Sequence, residues 1–278
     1  MLEMLSYGFM RNALVVALVI GVAAAFIGQT VVLRRQANIG DALSHSALAG
    51  VALGVVLGYN PTLWSLIGTL VAAFALEFVR KLFPRYAEIA SAIVIATSVG
   101  LAGILSNMAG TGKSFSSYLF GSIVAISPIE RNVTIIVSLL VVLLSLLMYK
   151  ELFFVSFDPE GGRLAGINTS LVDTLFVIMT ALTVGIASRS VGTLVISSLL
   201  VLPYAAAMQL HLNYKNTLIA STVIGATSSV LGVVASYQFG LAPGGTIVLI
   251  SVAVLLILAI SNLVVMKVRA KNLRSEGA

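Results

Sequence analysis

The chain has 278 residues, 59% of them hydrophobic and only 9% charged, with a mean hydropathy of +1.09. A soluble domain carries about 25% charged residues, so a soluble enzyme or binding module is excluded; with no cysteine, so are disulfides, thiolate metal sites and cysteine nucleophiles. The net charge of +6 sits in short loops and the tail, where it orients a membrane protein rather than binding nucleic acid.

Apolar runs of roughly 18 to 25 residues recur from end to end, each long enough to cross a hydrocarbon core about 30 Å thick. The expected fold is therefore all-α, a polytopic membrane protein forming one transmembrane domain over residues 1–278. A β-barrel would need short alternating segments instead. The first run, about Asn12 to Leu33, passes the small residues Ala23-Ala24-Ala25 and stops at Arg34-Arg35, which reads as a retained span rather than a cleaved signal.

Next comes the stretch Asn38-Ile39-Gly40-Asp41-Ala42-Leu43-Ser44-His45-Ser46, continuing to about Gly58. Asp41 and His45 are four residues apart, so on a helix they share one face and can close on one cation together. An N-cap and a hydrogen-bonded, packed imidazole are the structural alternatives, set against the rule that ionisable groups in membrane segments are usually functional.

After a turn at Tyr59-Asn60-Pro61, spans are expected at about Thr62 to Val79 and Glu88 to Met108. The segment Ser117 to Val124 is too short to cross and reads as re-entrant or interfacial. A span from about Asn132 to Tyr149 precedes the polar loop 151–168, and further spans follow at about Thr169 to Ala187, Val191 to Leu210, Thr217 to Tyr237 and Gly245 to Met266, before the basic tail 267–278. That makes nine spans, or eight if one is shallow.

Strict alternation puts Arg34, Arg35, Arg80, Lys81, Arg85, Lys150, Arg163, Lys215, Lys267, Arg269, Lys271 and Arg274 on one side, 12 of the 16 basic residues. Short cytoplasmic loops are rich in Lys and Arg, so that side is read as cytoplasmic. The glycines at Gly50, Gly54 and Gly58, or Gly225 and Gly232, suit close helix packing. Pro203 lies inside a span, where it is expected to kink or break the helix and offer a pathway wall.

Several motifs carry no chemistry. Asn107 to Ser114 imitates a phosphate-binding loop, but Asn107 replaces the first glycine and no βαβ unit surrounds it. Asn132-Val133-Thr134 and Asn168-Thr169-Ser170 match a short glycosylation pattern with a high chance rate. Glu77 and Asp173 lie near expected cytoplasmic ends, where snorkelling or pairing with Arg80, Lys81 or Arg163 accounts for them. His211, beside Asn213 and Lys215, reads as interfacial.

Four landmarks in order, Gly40-Asp41-Ala42-Leu43-Ser44-His45-Ser46, Tyr118-Leu119-Phe120-Gly121-Ser122-Ile123, Val191-Gly192-Thr193-Leu194-Val195-Ile196 through Leu202-Pro203-Tyr204-Ala205-Ala206, and Ala242-Pro243-Gly244-Gly245-Thr246, give the chain its likeness. It resembles the integral membrane permeases of zinc- and manganese-type ABC importers. The resemblance implies a type II ABC-importer-like permease in the bacterial cytoplasmic membrane, a homodimer with its pathway on the twofold axis. Its implied partners are a separate cytoplasmic ABC ATPase and an extracytoplasmic metal-binding protein. It also implies that Asp41 and His45 contact the transported metal, that no cofactor is permanently bound, and that the loop from Ser156 to Ile167, with Phe157, Asp158, Glu160, Arg163, Ala165 and Gly166, is the coupling segment.

Gly161 and Gly162 each weaken a helix by about 1 kcal/mol relative to alanine, so the docking helix is expected to start late. One Asp and one His supply two ligands where zinc normally takes four, which suits a transient contact, completed by a second subunit or by water. Asp41 falls near the cytoplasmic end of its span, so either the site lies low or the helix starts earlier. The opening residues resemble zinc-type members, which puts zinc ahead of manganese. The rivals are a stand-alone secondary metal transporter, which would need several deep acids, and an intramembrane metalloenzyme, which would need a fuller ligand set than two distant histidines.

Overall fold

Backbone in hydrocarbon must satisfy its own N–H and C=O groups, so long apolar runs fold as helices. The computed structural model describes residues 6–83, 86–108, 119–122 and 126–276. Its helices are α1 (Gly8–Leu33), α2 (Asn38–Val56), α3 (Pro61–Leu82), α4 (Ala87–Met108), α5 (Pro128–Leu147), α6 (Tyr149–Phe157), α7 (Pro159–Leu164), α8 (Thr169–Ser190), α9 (Thr193–Met208), α10 (Tyr214–Phe239) and α11 (Pro243–Glu276). Among the described residues there is no strand. Eight helices are long and apolar enough to cross a membrane, and α9 is the shorter exception.

Local chemistry sets where the helices begin. Asn60 accepts from the N–H of Thr62 ahead of Pro61, and Asn168 and Asn213 cap α8 and α10 through the N–H groups of Leu171 and Asn216. Ser127 and Glu130 form a reciprocal capping box at α5, with Pro128 in the first turn. These caps satisfy N–H groups the helix cannot, and they start α5 and α10 about a turn before the apolar runs do. The Asn of each glycosylation-like triplet is engaged at a helix start: Asn168 as a cap, Asn132 by accepting from Arg131.

The helices alternate between two ends. Arg131 Nη1 donates to Asn12 Oδ1 (2.9 Å), placing the starts of α1 and α5 together. At the other end Arg34 meets Asp173 (2.8 Å), placing the end of α1 beside the start of α8. This second end carries Arg34, Arg35, Arg80, Lys81, Lys150, Arg163 and Lys215 and is called the basic end. The pairing expected for Asp173 is corrected here: its partner is Arg34, not Arg163, while Glu77 does pair with Arg80 (3.5 Å).

α1 and α2 are interior helices, each with two-thirds of its span buried, whereas α11 has 11% buried and lies against the bundle from outside. The core is built from Ile20, Ile27, Leu43, Phe176, Ile196 and Leu200, all under 2% exposed. Where α1 crosses α10, a Cβ on Gly21 would stand 2.6 Å from the Gly225 carbonyl oxygen. Only bare backbone fits there. Gly50 and Gly54 likewise meet Trp64 of α3, but Gly58 serves a turn (φ 71°) rather than a packing face.

Pro203 is buried within α9, and the helix runs through it without a break. The missing N–H costs one hydrogen bond, and packing by Leu199, Leu200, Tyr204, Ala206 and Ala207, each at most 3% exposed, holds the helix together. α9 has 16 residues, about 24 Å of helix, and links the two ends as the shallow member of the nine expected stretches.

Three landmark segments meet by backbone. A Cβ on Gly121 would lie 2.6 Å from Ser190 O, one on Gly192 2.5 Å from Leu119 O, and one on Gly244 2.8 Å from Phe120 O. Gly192, at φ 104°, turns the chain from α8 into α9. Of the expected re-entrant segment, Leu119 and Phe120 are helical; residues 123–125 and most of the phosphate-loop mimic lie outside the described residues.

Candidate metal site and docking segment

α2 begins at Asn38 without a side-chain cap, so Asp41 is an acid of the first turn and not the N-cap. Its carboxylate is exposed and gains from the positive helix N-terminus, while its carbonyl accepts from Ser44 Oγ (2.9 Å). His45 follows one turn deeper, about 6 Å along the axis, half-buried between buried Ser44 and Ser46. The helix therefore does not start early, and Asp41 stands near its basic end. A Cβ on Gly40 would touch Ser197 and Leu200 of α9 at 3.2 Å, and one on Gly28 of α1 would meet the Leu200 carbonyl. Asp41 thus stands one residue past the crossing of these three helices, a step farther from the basic end than Gly40.

No group of three or more His, Cys, Asp or Glu side chains able to hold a metal gathers among the described residues. Asp41 and His45 offer an oxygen and an imidazole nitrogen, donors that suit zinc and manganese alike. Ser46, on the inner side of α2, is spent in packing: its hydroxyl reaches Ala42 O and Ser98 Oγ, each at 2.7 Å. His211 stands elsewhere. It closes α9 in the left-handed region (φ 51°), with Nε2 2.9 Å from Asn262 Nδ2 of α11, a strut and not a ligand of the Asp41 and His45 pair.

The expected coupling loop is ordered into α6 and α7. The late start expected for its helix is corrected: α7 begins at once, because Asp158 Oδ1 accepts from Gly161 N (2.9 Å) and Pro159 occupies the first turn. A side chain at Gly161 would displace the Asp158 carboxylate from its cap, and Gly162 is buried with Phe154 Cβ 3.3 Å from where its own Cβ would be. The cap and the proline start the helix in spite of the propensity cost.

Phe157, Asp158, Glu160, Arg163, Ala165 and Gly166 are all exposed at the basic end. Leu164, which sequence reasoning missed, is 91% exposed; the available signal was a leucine inside the most polar loop of the chain. α6 is anchored by an aromatic cluster, with Tyr214 of α10 at 5.1 Å from Tyr149, 5.0 Å from Phe153 and 6.0 Å from Phe157 between ring centroids. Burial pushes the Tyr149 hydroxyl above its ordinary pKa, so it stays neutral there. The segment is thus anchored on α10 while Phe157 and Leu164 stay exposed.

The bundle has the fold of ABC transporter permeases. The chain superposes on PsaBC from Streptococcus pneumoniae in complex with Fab with a TM-score of 0.80 and 31% identity, covering 92% of this chain and 94% of that one. A second solved ABC transporter, in an inward-facing conformation, shares the fold at 17% identity and a TM-score of 0.74.

A Treponema pallidum membrane protein named for a metal transport system is 35% identical over 91% of this chain and 96% of its own. The manganese import system permease protein ScaB of Streptococcus gordonii is 32% identical over 90% of each. The ABC 3 transport family matches residues 6–262. The chain belongs to that family: it is a membrane permease, a transport component rather than an enzyme.

Proposed function

We propose that the chain is the permease subunit of an ATP-driven importer that moves divalent transition-metal ions across the cytoplasmic membrane. Asp41 and His45 contact the ion in passage, and a second copy of the chain across a twofold axis, or water, completes its shell. Manganese takes precedence over zinc, because relatives such as ScaB are named for manganese; this reverses the order expected from sequence. The segment 157–166 docks a separate ATPase, and an extracytoplasmic binding protein delivers the ion to the opposite end.

The observation that carries this reading is the exposed Asp41 carboxylate with His45 one turn deeper on the same face, in a bundle where Glu77 and Asp173 are already paired. Two ligands hold an ion briefly, as a pathway requires. The test is uptake of radiolabelled manganese and zinc in cells lacking their own importers, with the chain co-expressed with its ATPase and binding protein. Asp41→Ala and His45→Ala are expected to abolish uptake while the protein remains inserted. Uptake that survives both, or that proceeds without the ATPase, would refute the proposal.

A further inference from the structure

The last turn of α1 and the four residues after it carry a concentration of unusual features. Arg34 N donates to Thr30 O, Arg35 N to Val32 O and Gln36 N to Val31 O, at 3.0, 3.0 and 2.9 Å. This is the helix-ending motif that normally places glycine in the left-handed region, yet Arg35 occupies it, at φ 55°. A side chain there strains the backbone, and strain of this kind gathers at switch regions. Gln36 follows with its Oε1 buried and without a hydrogen-bond partner. The turn is held rather than relaxed.

What holds it comes from the docking side. Arg34 Nη2 lies 2.8 Å from Asp173 Oδ1, with the two side chains 14% and 35% exposed, and the guanidinium stands 5.4 Å from the ring centre of Phe176, itself fully buried. Asp173 is in the opening turns of α8, the helix that directly follows the docking segment. A second strut reaches α1 about a turn earlier: the Tyr214 carbonyl, whose ring packs on Tyr149, Phe153 and Phe157, accepts from Gln29 Nε2 (3.1 Å). Beyond Arg34 only residues 35–37 remain before α2, and Asp41 is in the first turn of that helix.

We infer that the turn 34–37 is the mechanical relay between ATPase docking and the Asp41 helix, and that Arg34, held by Asp173, is its positioning residue. This rests on the functional reading above. A movement of α6 and α7 reaches α1 through Asp173 and Tyr214, and the strained turn converts it into a shift of Asp41 and His45. Without the bridge, ATP is hydrolysed but the ion contact is not moved with it.

The test uses the complete transporter, permease with ATPase and binding protein, in proteoliposomes, with ATP hydrolysis and manganese uptake read from the same vesicles. Arg34→Gln and Asp173→Asn are expected to hydrolyse ATP at close to the intact rate while manganese imported per ATP falls about tenfold, within the usual range of coupling between two sites. The exchanged pair, Arg34→Asp with Asp173→Arg, is expected to recover most of that ratio, which a loss of packing alone would not. Arg34→Lys keeps the charge and serves where Arg34→Gln assembles poorly; it is expected to fall between intact and Arg34→Gln. Uptake and hydrolysis that fall in step, an unchanged ratio, or an exchanged pair no better than the single variants would overturn the inference. An intact chain that hydrolyses ATP but imports no manganese would instead overturn the functional reading.

Discussion

Leu164 is 91% exposed at the tip of α7, so the free permease gains almost nothing from its side chain, whereas a docked ATPase would bury it. Leu164→Ala removes about three methyl or methylene groups at about 0.8 kcal/mol each. With incomplete burial that is about 2 kcal/mol, or about thirtyfold in Kd at 1.4 kcal/mol per decade. The assay is binding of the isolated ATPase subunit to permease in lipid nanodiscs, followed by biolayer interferometry, with thermal unfolding of the permease alone measured alongside. The expected result is about thirtyfold weaker binding with stability changed by less than about 0.5 kcal/mol, as for an exposed surface position. Unchanged affinity, or a permease that itself unfolds earlier, would refute the docking role.

Further outcomes follow from the same geometry. Asp158→Ala removes the cap on Gly161 and should cost α7 about 1 kcal/mol, weakening ATPase binding, while Asp158→Asn retains the cap and should bind as the intact chain does. Gly28→Ala forces a methyl into the Leu200 carbonyl and should destabilise the bundle by about 3 kcal/mol, read as loss of monodisperse protein in detergent at elevated temperature. Arg35→Gly relieves the left-handed residue and should raise thermal stability by about 0.5 to 1 kcal/mol; a fall would show that the Arg35 side chain contributes more than its backbone costs.

Much of the fold was legible in the sequence because hydrocarbon leaves the backbone few choices: length and apolarity alone placed the long helices, and basic residues sorted the two ends. The Asp41 and His45 pair was legible for the same reason, since a period of four puts them on one face whatever packs around them. What spacing could not supply was depth, which depends on Gly40 and Gly28 closing on Leu200. Propensity misled at Gly161-Gly162, where the Asp158 cap and Pro159 start α7 at once despite both glycines. The Arg34 to Asp173 bridge was beyond reach, because its partners are remote in sequence and both read as ordinary interfacial charges.

The contact of Gly121, Gly192 and Gly244 has a kinetic consequence. A constriction lined by side chains can widen when one of them flips, within nanoseconds for an exposed residue. Here the touching surfaces are peptide groups, with a Cβ excluded from each of the three positions, and there is nothing to rotate aside. Parting them requires whole segments to move together, which belongs to the microsecond-to-millisecond motions of helices and domains. Thermal flicker of individual side chains leaves the contact in place.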